Sequence, residues 1–374
     1  MICDVGPPFL AASRLVAGFH MAKPFIGREI ATESAFPSGQ IVDNLYIVHL
    51  SPAFEPIYVS QPADIRSKFP FPLSGVVPPV VTPLMGRASL DASAFCKLIN
   101  RLIESGVHGL FLLGTTGEFC SLNGRTQRAV IDQGCAAAAG RVPMVVNVSH
   151  TSVDESVRLA KYAWRAGAGA VAICPPYYFP VAQKDLVRSV TKFARRVPLP
   201  VFLYNIPQNA GVEFDVETVW KLAEEPNIVG VKNSNGRLDY LSELRHIKQR
   251  RPSFSLLVGT EEIMLSSLAA GADGSVCGGA NMFPHLYVSL YRSAVEGRKE
   301  EAERLQDLVA RIAQAVYTIG FSGTSYFRGL KGALAYLGVC NDLLAEPLER
   351  LNEKERQELR ERLVPLLSEI PDSR

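Results

Sequence analysis

The sequence predicts an α/β protein with a (β/α)8 TIM barrel and a C-terminal helical extension. Between residues 75 and 297, eight short runs rich in β-branched residues alternate with amphipathic stretches of helical length. The runs are almost continuously apolar, which is typical of parallel strands covered on both faces. Eight such repeats fit a closed barrel, which typically needs about 250 residues.

The elements follow one another in a regular order. The predicted strands are 75–82, 109–114, 142–148, 170–175, 199–205, 228–233, 255–259 and 274–279. The predicted barrel helices are 91–104, 124–139, 153–165, 183–195, 215–223, 240–249, 261–269 and 282–296, and those beyond them are 299–319, 325–337 and 353–367. Strand–helix alternation with right-handed crossovers produces a parallel sheet.

An open, doubly wound sheet is the rival architecture. It would normally carry a Gly-x-Gly-x-x-Gly turn after its first strand, whereas TPLMGRAS follows that strand here. We therefore predict three regions. Residues 1–72 are proline-rich, lack periodicity and form an N-terminal appendage that is either disordered or an over-extended start; 73–297 form the barrel, and 298–374 the C-terminal extension.

Composition excludes several classes of protein. The formal net charge of +2 gives no general attraction to nucleic acid or to an anionic membrane, and no apolar run approaches the ~20 residues of a membrane helix. The seven cysteines lack C-x-x-C spacing and the six histidines form no H-x-x-x-H pair, so we predict no metal site. Scattered cysteines favour a reducing, cytoplasmic location.

A lysine ends the apolar run IVGVK, and this is the first candidate for chemistry. Lys232 stands at the carboxyl end of the sixth predicted strand, where barrel enzymes carry their active sites. Apolar walls lower the pKa of a lysine because burial penalises its charged form. A neutral amine can attack a ketone and form a Schiff base. The alternative is a lysine that packs its stem and extends its head to water.

Other strand ends supply partners for this lysine. Tyr204 ends the fifth strand, where its phenol can transfer protons; its alternative role is that of a buried ring. Thr115 and Thr116, in the turn GTTGEF after strand two, suit a small carboxylate, although a simple capped turn is the alternative.

At this point the sequence resembles the dihydrodipicolinate synthase and N-acetylneuraminate lyase superfamily of Schiff-base-forming barrels. The resemblance covers residues 73–346 and depends on VVTPL, GTTGEF, PPYY, YNIP, GVKNSNG and GADGSVCGGAN. It implies that Lys232 forms a Schiff base with pyruvate or another 2-oxo acid, and that Tyr204 donates and accepts protons. Thr115 and Thr116 would bind the carboxylate, with Thr116 also linking the tyrosines.

The same resemblance implies an assembly and no cofactor. Tyr178 of PPYY resembles a tyrosine that is lent across a dimer interface to the neighbouring subunit, so we expect a homo-oligomer, typically a homotetramer. The lysine adduct is itself the electron sink, so neither a metal nor an organic cofactor is expected. Ser234, beside Lys232, and Gly278, in GGAN after strand eight, are also predicted to contact the substrate.

Three positions, in two segments, depart from the dihydrodipicolinate synthase pattern. Asn209 occupies the place of an arginine that binds the carboxylate of the aldehyde substrate, and an amide lacks the charged, planar fork of arginine. Glu261 and Glu262 fall near the acidic pair that contacts sugar hydroxyls in sialic acid lyases. The alternative for both glutamates is a favourable place at a helix N-terminus.

These residues predict an enzyme, a lyase or aldolase that acts on pyruvate or a related, hydroxylated 2-oxo acid. The alternatives are dihydrodipicolinate synthase of lysine biosynthesis, a dehydratase of 2-keto-3-deoxy sugar acids and a 4-hydroxy-2-oxoglutarate aldolase. The last is included because the stretch around Asn209, YNIPQNAG, also resembles the corresponding stretch of those aldolases. A sugar-phosphate barrel that uses GGAN is a further alternative. Outside enzymes, the alternative is an inactive paralogue that binds a 2-oxo acid.

Overall fold

The computed structural model describes residues 69–86, 88–320 and 323–371, together with two short strands nearer the N-terminus. These strands, Leu45–Tyr46 and Val59–Ser60, pair antiparallel. Most of the predicted appendage, 1–72, lies outside the described residues, and its boundary with the barrel stays a prediction. Phe69 and Leu73 are already buried in the barrel interior.

Eight parallel strands form the barrel. They are β1 Gly75–Val76, β2 Leu110–Leu112, β3 Met144–Asn147, β4 Ala170–Ile173, β5 Val201–Asn205, β6 Ile228–Asn233, β7 Ser255–Val258 and β8 Gly274–Ser275. Each strand pairs with its neighbour in the chain, and β8 pairs with β1. A parallel bridge between Pro79 and Phe111 joins β1 to β2 and closes the ring. The predicted fold class is confirmed.

Helices surround the strands and continue beyond them. The barrel helices are α1 Ala92–Glu104, α2 Gly124–Ala138, α3 Val153–Ala166, α4 Gln183–Ala194, α5 Val216–Leu222, α6 Leu238–Leu244, α7 Met264–Ala269 and α8 Pro284–Val295. The extension consists of α9 Lys299–Tyr317, α10 Ser325–Tyr336 and α11 Glu353–Leu367. Polar caps start several of them: Asp91 accepts the Ala94 N–H, and Asn352 forms a capping box with Glu355.

The observed elements differ from the predicted ones in a few places. The first strand is two residues long because Pro78 and Pro79 have no N–H to donate to a sheet. The helix predicted over 240–249 is broken into α6 and a one-turn helix, Ile247–Arg250. A further one-turn helix, Pro207–Ala210, follows β5, and a small hairpin pairs Leu84–Met85 with Ser89–Leu90.

The C-terminal extension packs closely on the barrel. In α10, a Cβ at Gly329 would lie 1.8 Å from the Val316 carbonyl oxygen of α9, so only glycine permits this helix contact. Leu330 and Leu334 of α10 and Leu359 and Leu363 of α11 belong to the same buried cluster as the barrel helices. Among the described residues, no helix has both the length and the apolar character needed to cross a membrane.

Candidate active site

One cavity of about 310 Å³ at the carboxyl ends of the strands collects most of the predicted site residues. This volume suits a small metabolite. Nine of the ten predicted residues line it: Thr115, Thr116, Tyr204, Asn209, Lys232, Ser234, Glu261, Glu262 and Gly278. Because these residues come from five different strand ends, the barrel topology is what brings them together.

Lys232 lines this cavity from the end of β6. It pairs in register with Tyr204 across β5 and β6, and its side chain is only 4% exposed. The Nζ atom lies 4.1 Å from the ring centroid of Tyr204 and 4.4 Å from that of Phe111. Within the described part of the chain, Lys232 forms no ion pair. Burial lowers the pKa of Lys232 from 10.5 to about 7, while the nearby Cys277 thiol acts in the opposite direction.

The two rings do not keep this amine charged. An ammonium over an aromatic face gains about 0.5–2 kcal/mol. Burial of an unpaired ammonium costs several kcal/mol. Desolvation is therefore the larger effect, in agreement with the direction of the pKa shift at Lys232. A substantial fraction of this amine is neutral near pH 7 and can act as a nucleophile.

The Tyr204 phenol has a defined partner. Its hydroxyl lies 2.8 Å from Thr115 Oγ1, and its ring is 1% exposed. Burial raises the pKa of Tyr204, and the hydrogen bond to Thr115 only partly offsets this. The phenol is therefore protonated at neutral pH. It lies beside Lys232, where a phenol can donate a proton and then regain one through the hydroxyl of Thr115.

The turn that carries the threonines is held in an unusual conformation. Leu113 and Glu118 bracket it with φ values of 55° and 60°, in the left-handed region that non-glycine residues seldom adopt. Among bonds between described residues, the N–H groups of Thr115 and Thr116 have no acceptor, whereas those of Gly117 and Glu118 bond within the turn. Two neighbouring N–H groups therefore remain for a ligand anion.

The two threonines contact different tyrosines. The resemblance assigns the link with the catalytic tyrosine to Thr116, and this is wrong: Thr115 bonds to Tyr204. Thr116 Oγ1 lies 2.9 Å from the hydroxyl of Tyr326, which belongs to α10. Consecutive residues of a turn point in different directions, so only one of the two side chains can reach β5.

A buried ion pair anchors the same turn. Glu118 Oε1 lies 2.5 Å from Lys331 Nζ, and the two side chains are 1% and 2% exposed. Glu118 Oε2 also accepts the Ala345 N–H, and Lys331 donates to the carbonyls of Thr82 and Leu343. All of these partners are themselves buried or half-buried. The C-terminal extension thereby fixes the position of the turn.

The two predicted glutamates have different surroundings. Glu261 is 3% exposed; its Oε1 accepts from the hydroxyls of Tyr287 and Tyr317, each at 2.7 Å, and its Oε2 accepts the Gly279 N–H. Burial, helped by the negative charge of Glu262, raises the pKa of Glu261 to about 7 despite these hydrogen bonds. Glu262 is exposed to solvent at the cavity mouth.

The chain matches known proteins over the region that builds this site. The dihydrodipicolinate synthetase family matches residues 72–365. The chain belongs to this family. Its members are lyases, so the chain is an enzyme of that class, and the predicted superfamily is confirmed.

Three relatives illustrate the family. The chain is 36% identical over 248 residues to a probable 2-dehydro-3-deoxy-D-pentonate aldolase, YjhH of Escherichia coli, covering 66% of this chain and 82% of the relative. A dihydrodipicolinate synthase structure from Bacteroides thetaiotaomicron is 44% identical with a TM-score of 0.77, covering 79% of this chain and all of that one. YagE of E. coli, solved with pyruvate, is 28% identical with a TM-score of 0.76, covering 80% and 100%.

The remaining predicted residues lie at the edge of the family site. Asn209 is exposed on the one-turn helix after β5, and the neighbouring Gln208 donates to the Ser234 carbonyl at 2.9 Å. A Cβ at Gly259 would lie 2.1 Å from Ser234 Oγ, so this serine needs the glycine opposite it. Tyr178 does not line the cavity; it is 77% exposed and packs edge-on against Phe179. The roles of these residues stay predictions.

Sequence patterns missed the residues that the extension contributes. Tyr317 and Tyr326 line the same cavity as Lys232, although they lie in α9 and α10. The strand-end rule searches only the barrel loops, so it overlooks these helices. The sequence did contain one signal, the adjacent glycines of the GGAN turn, because consecutive glycines indicate that another part of the chain approaches closely. In the structure, a Cβ at Gly278 would lie 2.1 Å from the Tyr326 hydroxyl.

Proposed function

We propose that the chain is a Schiff-base lyase that acts on pyruvate or a hydroxylated 2-oxo acid through Lys232. The observation that carries the proposal is the buried, unpaired Nζ of Lys232 within 4.1 Å of the Tyr204 ring. Few other surroundings make a lysine nucleophilic at neutral pH. YagE, a relative solved with pyruvate, supports the same substrate class.

The steps follow from these neighbours. The Lys232 amine attacks the ketone carbon, and the former carbonyl oxygen takes one proton from the attacking nitrogen to give a carbinolamine. A second proton, donated by Tyr204, lets this oxygen leave as water. The resulting iminium withdraws electrons from the adjacent carbon. A carbon–carbon bond then breaks to leave an enamine, or forms from it; protonation of the enamine and hydrolysis return the amine. The adduct itself is the electron sink, so the proposal needs no metal or organic cofactor.

The turn after β2 suits the carboxylate of the substrate. The N–H groups of Thr115 and Thr116 have no acceptor among the described residues, and Thr116 Oγ1 lies at the cavity wall. Hydrogen bonds between N–H groups and a carboxylate are charge-assisted and therefore strong. A carboxylate fixed here would place the ketone carbon of a 2-oxo acid near the strand ends that carry Lys232 and Tyr204.

The other end of the cavity favours hydroxyls over a second carboxylate. Among the described lining residues, Lys232 is the one cationic side chain, whereas Glu261 and Glu262 are acidic and Gln208 and Asn209 are amides. Carboxylates and amides hydrogen-bond to hydroxyls, but two acids repel a carboxylate. The similarity to a probable 2-dehydro-3-deoxy-D-pentonate aldolase supports this choice.

Dihydrodipicolinate synthase is the second candidate. The 44% identity to the Bacteroides protein of that name favours it. Asn209, in place of an arginine, argues against an aldehyde that carries a carboxylate. A dehydratase would use the same Lys232 adduct to eliminate a hydroxyl. The site is therefore compatible with a dehydratase as well.

We also propose a homo-oligomer in the cytoplasm. Tyr178 and Phe179 are 77% and 72% exposed, which is unusual for adjacent aromatic side chains. Next to them, Tyr177 lines a second cavity that also contacts Thr115 and Tyr204. We propose that this largely apolar cavity receives Tyr178 from a second copy of the chain. The described cysteines are all free thiols, which suits a reducing compartment. Sedimentation velocity measures the assembly directly.

Borohydride trapping tests the reaction. With pyruvate and borohydride, the chain should gain one irreversible adduct on the peptide that contains Lys232, and the buried Lys331 should stay unmodified. Absence of the adduct would leave the inactive, 2-oxo-acid-binding paralogue as the better description.

A substrate series then separates the enzymatic alternatives. An aldolase releases pyruvate from hydroxylated 2-oxo acids, and the rate should rise with hydroxyl content. A dehydratase consumes the same acids without releasing pyruvate. A dihydrodipicolinate synthase consumes pyruvate only when an aldehyde bearing a carboxylate is added.

A further inference from the structure

A tyrosine from the C-terminal extension enters the cavity, and the reaction described above does not use it. Tyr326 lies in the first turn of α10, and its hydroxyl is 2.9 Å from Thr116 Oγ1. It lines the cavity that also contains Lys232. Its partner Thr116 belongs to the proposed carboxylate site, so this contact joins the extension to the place where the substrate carboxylate would bind.

The position of this phenol is closely constrained. The Tyr326 ring packs edge-on against Tyr317 at 4.7 Å and against Phe327 at 5.4 Å between ring centroids. On the barrel side, a Cβ at Gly278 would lie 2.1 Å from the Tyr326 hydroxyl, so glycine makes the space for it. Packing from three sides fixes the direction of the hydroxyl before any ligand binds.

A second contact joins the same helix to the same turn. Lys331 of α10 pairs with Glu118, two residues after Thr116, and Glu118 also accepts the Ala345 N–H. The turn is therefore fixed to α10 at two points, through Thr116 and through Glu118. A shift of Thr116 away from Tyr326 would require the buried ion pair to move as well.

The direction of the hydrogen bond decides what Tyr326 does. Burial raises the pKa of Tyr326, so the phenol keeps its proton. A phenol donates more readily than an aliphatic alcohol. When Tyr326 donates to Thr116, the single hydrogen of the threonine hydroxyl must point elsewhere, and the cavity is the open direction.

We propose that Tyr326 is a positioning residue that orients the Thr116 hydroxyl toward the carboxylate of the 2-oxo acid. The proposal rests on the proposed function, because it needs a carboxylate at Thr116. It makes the C-terminal extension part of the substrate site. Tyr326 itself does not touch the reacting atoms, so it should affect binding of the acid and not the rate of the bound complex.

The test measures how borohydride trapping on Lys232 depends on pyruvate concentration. Tyr326→Phe should raise the half-saturating pyruvate concentration about fivefold to tenfold, the effect of one charge-assisted hydrogen bond. The trapping rate at saturating pyruvate should stay within twofold of wild type. Gly278→Ala, which displaces the phenol without removing it, should raise the half-saturating concentration in the same direction.

A double variant distinguishes positioning from direct contact. Thr116→Val should weaken pyruvate binding about tenfold, and Tyr326→Phe added to Thr116→Val should weaken it no further. Independent effects that multiply would overturn the proposal, because Tyr326 would then act without Thr116. Tyr336→Phe is the matched control: it removes a phenol from an exposed position of the same helix and should leave trapping unchanged.

The outcomes also separate this proposal from the proposed function. If the wild type forms the adduct and Tyr326→Phe shows the wild-type half-saturating concentration, only the role of Tyr326 is wrong. If the wild type forms no adduct, the proposed function is wrong and the role of Tyr326 falls with it. Thermal unfolding of each variant checks that the barrel remains folded.

Discussion

Lys232 and Lys331 are both buried lysines, but their surroundings differ. Their exposed fractions are 4% and 2%. Lys331 pairs with Glu118 and donates to two backbone carbonyls. Lys232 has two aromatic rings beside its amine and forms no ion pair among the described residues.

This comparison shows that burial alone does not make a lysine reactive. Acceptors around Lys331 match its donors and leave no lone pair free for attack. At Lys232 the missing acceptors make the charged form costly, and burial lowers the pKa to about 7. The same residue type therefore serves as a structural cation in one place and as a nucleophile in the other.

The largest expected effect is the loss of chemistry at Lys232. Lys232→Met should abolish the borohydride adduct with pyruvate, since a thioether cannot form a Schiff base. Mass spectrometry of the trapped protein measures this. An adduct that forms at full yield on another lysine would contradict the conclusion that Lys232 is the reactive one.

The pH dependence of stability in the same variant is an independent check on the pKa of Lys232. In the folded chain the pKa of Lys232 is about 7, against 10.5 for a free lysine. Between these values the unfolded chain binds more protons, so the wild type gains stability as pH rises from 7 to 10. The gain is at most about 1.4 kcal/mol per pH unit. Lys232→Met should lack it, and chemical denaturation at several pH values compares the two.

Removal of the other lysine should affect folding. Lys331→Met leaves the Glu118 carboxylate buried without its partner, which should lower the free energy of unfolding by about 3–5 kcal/mol. Adding Glu118→Gln should restore part of this loss, because the neutral amide still accepts the Ala345 N–H. Urea denaturation measures both variants. A loss below about 1 kcal/mol in the single variant would mean that the pair contributes little.

A smaller effect is expected when Lys232 is given an acidic neighbour, as Lys331 has in Glu118. Cys277 is buried close enough to influence the pKa of Lys232, and aspartate has a similar volume. In the wild type, adduct formation should rise with pH to a half-point near 7 and then level off, as the amine loses its proton. Cys277→Asp should move the half-point upward by at least one pH unit, because an anion favours the charged amine.

The matched variant for this experiment is Cys277→Asn. It has the shape of aspartate without the charge, so its pH profile should stay close to that of the wild type. At pH 7, adduct formation by Cys277→Asp should then be at least about fivefold slower than by Cys277→Asn. Equal rates in the two variants would show that an acidic partner does not control this amine.

The barrel and its reactive strand ends were predictable because they are local patterns. IVGVK is a strand that ends in a lysine, and its register beside Tyr204 follows from consecutive strands pairing in parallel. Nine predicted residues reach one cavity for the same reason. Where the chain follows the periodic strand–helix alternation, the sequence carries enough information to place its side chains.

Contacts between distant parts of the chain were not predictable. Tyr326 reaches Thr116 across 210 residues, and Lys331 reaches Glu118 from the same helix. No periodicity specifies such pairs, since they depend on how α10 packs on the barrel. The choice between Thr115 and Thr116 as the partner of Tyr204 failed for a related reason: it depends on which way each side chain of one turn points.

The glycine at position 278 has a consequence for relatives of this chain. Any side chain there would occupy the space of the Tyr326 hydroxyl. A side chain at position 278 is therefore accommodated without strain only where residue 326 has lost its hydroxyl or moved. Homologues that keep both Gly278 and Tyr326 should retain a pocket completed by the C-terminal helices. Homologues that have replaced both residues should bind the carboxylate of the 2-oxo acid differently.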